Sequence, residues 1–151
     1  MHTHRHQVPP LAATGHLTLD ESELKHWGEK LGESIEPPLV ISLTGDLGAG
    51  KTTLAQSICR GYGVAEPVTS PTYALVHRYD GPESAVYHID LYRLDKESQL
   101  TNIGWDDILA ERALVIVEWP ERAGDSMPAD NLHIDLGYSP GDPSRRILLA
   151  G

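Results

Sequence analysis

Apolar residues recur at Leu24, Trp27, Leu31 and Ile35, the spacing of one helix face, behind an Asp20 and Glu23 pair of the kind that caps a helix start. Pro37-Pro38 ends that helix. Leu39 to Leu43 is a short, β-branched apolar run bounded by prolines and Gly45, which reads as a buried strand. Helical spacing returns over residues 51–62, with Leu54, Ala55 and Ile58 on one face and Gly61 and Gly63 as stop signals. Two strand-like runs follow, Tyr73 to Tyr79 and Ala85 to Tyr92, joined by Asp80-Gly81-Pro82-Glu83, so a hairpin is expected to add antiparallel strands to a parallel sheet. Asp95 predicts the cap of a short helix through Leu100, and Trp105, Ile108 and Leu109 predict another turn or two before Arg112. Ala113 to Val117 is the most apolar run in the chain and predicts a central strand ending at Glu118. A last pair of strands, Leu132 to Tyr138 and Arg146 to Ala150, flanks the turn-rich stretch Ser139 to Ser144.

Residues 1–17 carry four histidines, Pro9-Pro10 and little periodicity, and read as a flexible tail before one domain at residues 18–151. His2, His4 and His6 alternate, but no carboxylate or cysteine accompanies them, so a solvated tail is the simpler reading than a metal site. A chain of 151 residues and 16.5 kDa is one ordinary domain. Its charge sharpens the picture: 12 Lys and Arg against 22 Asp and Glu give a net charge of -10, without the basic footprint of a protein that grips nucleic acid by its phosphates. No direct tight nucleic-acid binding is expected. The single cysteine, Cys59, excludes an intrachain disulfide. With no apolar run long enough to span a membrane and no visible signal segment, a cytoplasmic protein is the default expectation.

The candidate chemistry lies between the first strand and the second helix. Gly45-Asp46-Leu47-Gly48-Ala49-Gly50-Lys51-Thr52 fits the phosphate-loop pattern G-x-x-x-x-G-K-[ST], in its proper strand-to-helix context. Glycines let backbone N–H groups converge on phosphate oxygens, and the helix N-terminus adds partial positive charge behind them. Lys51 offers a mobile cation to the β- and γ-phosphates, and the Thr52 hydroxyl a ligand to Mg²⁺. The fold class expected is therefore α/β, a P-loop NTPase-like mixed sheet, parallel plus antiparallel, flanked by helices. Two carboxylates stand out as anionic help for the metal: Glu118 at the carboxyl end of the central strand, and Asp90 in a neighbouring strand. Val68-Thr69-Ser70-Pro71-Thr72-Tyr73 holds three hydroxyls at the chain position of a switch segment. Trp119 either covers the nucleotide or plugs the core. His77, His88 and His133 lack metal spacing and read as satisfied or exposed histidines; Cys59, Trp27 and Trp105 read as packing residues.

Four blocks together resemble the TsaE (YjeE) family, the small P-loop ATPase of bacterial tRNA threonylcarbamoyladenosine synthesis. They are Gly45 to Thr53, Val68 to Tyr73, His88-Ile89-Asp90-Leu91-Tyr92-Arg93-Leu94 and Val117-Glu118-Trp119-Pro120-Glu121-Arg122, and the resemblance covers about residues 17–150. It implies a protein that binds ATP and Mg²⁺, has weak, partner-stimulated ATPase activity, and works with the TsaD and TsaB subunits of the threonylcarbamoyl transfer machinery. It also implies roles: Thr52 and Glu118 on the metal, Lys51 on the phosphates, Asp90 and Thr69 in hydrolysis, Thr69 to Thr72 as the switch. Gly45 to Thr53 and Trp119 would lie at the nucleotide, with a residue near Thr18 and a cation such as Arg145 as further contacts.

Other classes fit less well. A small-molecule P-loop kinase lacks an arginine-rich lid and chain enough for an acceptor pocket, and a GTPase lacks an Asn-Lys-x-Asp segment. A nucleotide-gated binding module without hydrolysis uses nearly the same groups as an ATPase and stays open as an alternative.

Overall fold

The computed structural model describes residues 16–46, 48–68 and 76–150. Strand β1 (His16–Asp20) leads directly into helix α1 (Glu21–Ser34). The expected cap is present: the Glu23 N–H donates to Asp20 Oδ1 at 2.8 Å, and the Asp20 N–H donates to Glu23 Oε1 at 2.9 Å. Strand β2 (Leu39–Gly45), helix α2 (Lys51–Tyr62) and the antiparallel pair β3 (Val76–Asp80) and β4 (Ala85–Asp90) follow. After a 3-10 segment at Glu97–Ile103 come helix α3 (Trp105–Ala110) and strand β5 (Leu114–Glu118). A second 3-10 segment (Pro120–Ser126) precedes β6 (Leu132–Ser139) and β7 (Asp142–Ala150).

The seven strands form one sheet in the order β1-β7-β6-β2-β5-β4-β3. Its centre, β6-β2-β5-β4, is parallel, and both flanks are antiparallel. Helices α1 and α2 cover one face over Ile41, Leu43, Ile116 and Ile134. On the other face the two 3-10 segments and α3 cover the β4–β5 side and Val40 of β2, around Val115, Val117, Trp105 and Leu100. Alternation along each strand therefore decides what reaches the α2 side: Leu39, Ile41, Leu43 and Gly45 from β2, Val86, His88 and Asp90 from β4, and Leu114, Ile116 and Glu118 from β5.

The mixed sheet, the helix at 51–62, the hairpin and the strand ending at Glu118 are as expected, and several details are corrected. The N-terminal flank holds a strand, β1, that pairs with β7, where only a helix start is legible from apolar spacing. The expected turn at Ser139 to Ser144 is shorter, β6 running to Ser139 and β7 starting at Asp142, with a register shift at Tyr138/Ser139. Asp95 does not cap the segment that follows it; the Gln99 side chain does so, accepting from the Asp95 and Lys96 N–H groups at 2.8 and 3.1 Å. Residues 1–15, most of the expected tail, and 73–75, the start of the expected Tyr73–Tyr79 strand, lie outside the described residues.

Gly63 ends α2 in the left-handed region, with φ of 107°, but Gly61 is no stop signal. It lies inside the helix where α1 presses closest: a Cβ on Gly61 would sit 2.0 Å from the Glu29 carbonyl oxygen, and one on Gly32 2.2 Å from that of Ile58. Burial pushes the Cys59 thiol up to about 12 beside this contact, so it acts as a packing residue. We expect Gly61→Ala to destabilise the fold by about 2 kcal/mol, read as a lowered Tm, because overpacking against a backbone atom outweighs the roughly 1 kcal/mol that alanine gains in helix propensity. A Tm equal to or above that of the parent protein would contradict this close approach.

Candidate functional site

The β2 strand delivers its last residue, Gly45, against β6, where it pairs with Leu136. Gly45, Gly48 and Gly50 have φ of 142°, 83° and 105°, so each occupies a conformation that glycine adopts without cost. The loop they shape closes on itself, the Ala49 N–H donating to the Asp46 carbonyl at 3.0 Å. Gly50 begins α2 with no side-chain cap, which leaves the N–H groups of the first turn for an incoming acceptor. Leu47 of this loop lies outside the described residues, as do Thr69 and the rest of the expected switch through Thr72.

Lys51 is buried, and its Nζ donates to the Gly45 carbonyl at 2.5 Å and to that of Asp46 at 3.3 Å. The ammonium also lies 4.0 Å from the centroid of the Trp119 ring. Burial lowers the Lys51 pKa, opposed by the carboxylates of Glu118, Glu121, Asp90 and Asp46. Trp119 has φ of 60°, a left-handed backbone at the corner between β5 and the 3-10 segment that follows. The turn swings the indole to Tyr92, 5.0 Å between ring centroids, and over Lys51. It thus closes one side of the cavity while resting on the β4–β5 core.

Asp90 and Glu118 are register partners at the ends of β4 and β5. Asp90 Oδ1 accepts the Tyr92 N–H at 3.0 Å, while burial and then the Glu118 charge act to raise its pKa. Glu118 is buried, and its Oε2 accepts from His88 Nε2 at 2.5 Å. A cavity of about 310 Å³ brings together Lys51, Thr52, Thr53, Asp90, Glu118 and Trp119. A second, of about 620 Å³, shares Gly48, Gly50 and Thr53 with it and runs on past Asp20, Leu24 and Arg146.

The flank contacts that the resemblance implies, a residue near Thr18 and a cation such as Arg145, have neighbours at the cavity, Asp20 and Arg146. Leu17 and Leu19 pack toward the α1–α2 core, so alternation turns Thr18 to the opposite face; Asp20 lines the cavity instead. Arg145 pairs with Glu23 and Asp142, at 3.4 and 3.5 Å, and its neighbour Arg146 reaches the loop, Nε donating to the Ala49 carbonyl at 2.9 Å. Arg146 also stacks on Tyr138, 4.2 Å from its ring centroid, whose hydroxyl donates to the Gly48 carbonyl at 3.0 Å. Period-two alternation carries a signal for both: Arg146 shares a strand face with buried Leu148, and Tyr138 with Leu136. Of the other strand histidines singled out above, His77 is hydrogen-bonded to Tyr79 and His133 to Ser42 and Thr44.

Comparison with known proteins decides the lineage. The family model described as "Threonylcarbamoyl adenosine biosynthesis protein TsaE" matches residues 18–147. The chain belongs to the TsaE family. Relatives named tRNA threonylcarbamoyladenosine biosynthesis protein TsaE include one from Nostoc sp., 38% identical over 130 residues, covering 84% of this chain and 78% of the relative. Another, from Haemophilus influenzae, is 34% identical over 135 residues, covering 86% of this chain and 84% of its own. The crystal structure of Bacillus subtilis YdiB is similar with a TM-score of 0.71 and 27% identity, over 90% of this chain and 85% of that one. Membership of the TsaE family makes this a P-loop protein of the nucleotide-binding kind. Among the described residues no helix is long and apolar enough to cross a membrane.

Because Trp27 and Trp105 are buried in the core and only Trp119 borders the cavity, we expect ATP to change the intrinsic fluorescence through Trp119 alone. Trp119→Phe is expected to abolish the response; a full response in that variant would place the reporting indole elsewhere.

Proposed function

We propose that the chain binds ATP with Mg²⁺ and hydrolyses it slowly in support of threonylcarbamoyladenosine modification of tRNA, in the cytoplasm, acting with TsaD- and TsaB-type subunits of the threonylcarbamoyl transferase. The observation that carries this reading is the convergence of Lys51, Thr52, Asp90 and Glu118 on one cavity at the start of α2. Relatives named for the same biosynthesis over most of the chain support the pathway.

The residues fit magnesium. A hydroxyl and a carboxylate are hard oxygen donors, and a cation that keeps several waters and takes phosphate oxygens needs few protein ligands. Thr52 and Glu118 would hold the ion, and when bound it would neutralise phosphate charge.

Lys51 exchanges the carbonyls of Gly45 and Asp46 for phosphate oxygens, and the N–H groups of Gly48 and of Gly50 to Thr53 line the phosphate cradle. The larger cavity beside Asp20, Leu24 and Arg146 takes the nucleoside, with Arg146 bracing the loop through Ala49. The Tyr92 N–H occupies Oδ1 of Asp90, leaving Oδ2 to orient the attacking water and accept its proton. Thr69, with Ser70 to Thr72, serves as the switch that senses the γ-phosphate. With a net charge of -10, the tRNA falls to the partners.

Lys51→Ala is expected to abolish ATP binding in titration calorimetry, and unchanged affinity would remove the nucleotide reading. For the enzyme itself, radiolabelled ATP should be cleaved slowly by the purified chain and faster when TsaD- and TsaB-type subunits are added. Brisk turnover on a free metabolite would favour a kinase; no cleavage with partners present would favour a nucleotide-gated module.

A further inference from the structure

His88 is fully buried in β4, two residues before Asp90 and on the same strand face. Its backbone partner in β5 is Ile116, so the imidazole reaches diagonally along the parallel pair to the carboxylate two residues further on. That carboxylate is Glu118, itself buried, and it only accepts hydrogen bonds; Nε2 therefore carries the hydrogen and donates to Oε2 at 2.5 Å. The other ring nitrogen, Nδ1, is buried with no hydrogen-bond partner among the described residues. A buried polar atom left unpaired costs stability, and an apolar side chain fills such a strand position without that cost, as Val86 does on the same face. The ring is thus poorly explained by packing and well explained by its single bond to Glu118.

We propose that His88 is a positioning residue for the magnesium site: it anchors Oε2 of Glu118 so that the other carboxylate oxygen is presented to the cation. This rests on the reading of Glu118 as a magnesium ligand. A carboxylate at the end of a strand has free torsions, and the imidazole N–H pins one oxygen while the other is left for the metal. Such outer partners of metal ligands commonly change metal affinity by 10–100-fold when removed.

The experiment is a Mg²⁺ titration of ATP binding in the full chain, alongside nucleotide affinity in excess EDTA and a thermal melt. Expected for His88→Leu is a magnesium midpoint raised about tenfold with metal-free nucleotide affinity unchanged. His88→Gln, whose amide can donate from a position near Nε2, should return the midpoint to within about threefold of the parent, whereas the shorter His88→Asn should not. This pair decides the matter even if the leucine variant does not fold. A folded His88→Leu that titrates magnesium like the parent, or an Asn variant that performs as well as Gln, would overturn the proposal. Glu118→Gln separates the two layers: a normal titration there removes the metal reading of Glu118 itself, while a shifted Glu118→Gln beside a normal His88→Leu removes only the role of His88.

Discussion

Gly45 ends β2 with φ of 142°, and a Cβ there would stand 2.2 Å from the Leu136 carbonyl oxygen of β6. The chain can leave the sheet at this point only through a residue that tolerates the left-handed region and has no side chain to collide with the next strand. Every element of the site depends on that exit. It sets where the loop begins, where α2 starts six residues later, and which carbonyls receive the Lys51 ammonium. The same geometry brings Tyr138 and Arg146, both from the β6–β7 flank, onto the loop carbonyls of Gly48 and Ala49.

Around that exit the site gathers opposite charges in a partly dry place. The cation of Lys51 is held by carbonyls and an aromatic face, while Glu118 and Asp90 stand side by side on the adjoining strands. Lys51 and Asp90 are pushed toward their neutral forms by burial, and each restrains that shift in the other through charge. In the proposed reading, phosphate and metal ion would bring charges of the signs this arrangement complements, offsetting the desolvation each group bears alone. Trp119, strained into the left-handed region at the end of β5, places an indole where it touches both the lysine and the core.

Much of this was legible beforehand because it rests on local rules. The cap formed by Asp20 and Glu23, the helix at Lys51–Tyr62, the hairpin turn after Asp80 and the strand ending at Glu118 each follow from spacing, capping or turn chemistry within a few residues. What local patterns do not carry involves partners far away in the chain. Gly61 has the look of a terminator, yet its reason is the backbone of α1 some thirty residues earlier. Arg146, not Arg145, meets the loop because β7 is paired between β1 and β6, which sets which side of the sheet each side chain faces. His88 reads as an unremarkable strand histidine until β4 and β5 are placed side by side.

The amino-acid sequence by itself determined the phosphate loop, the strand-to-helix context that gives it meaning, and the carboxylate waiting at the end of an apolar strand. These are short-range matters, in which residue type and spacing specify backbone conformation and chemistry. Only the tertiary structure decided which distant groups meet there: the β6 carbonyl that excludes a side chain at Gly45, the arginine and tyrosine that brace the loop, and the histidine that holds Glu118. The physical reason is that strand order and register are long-range properties. A shift of one residue in pairing would leave every local pattern intact while turning Arg146 and His88 to the opposite face.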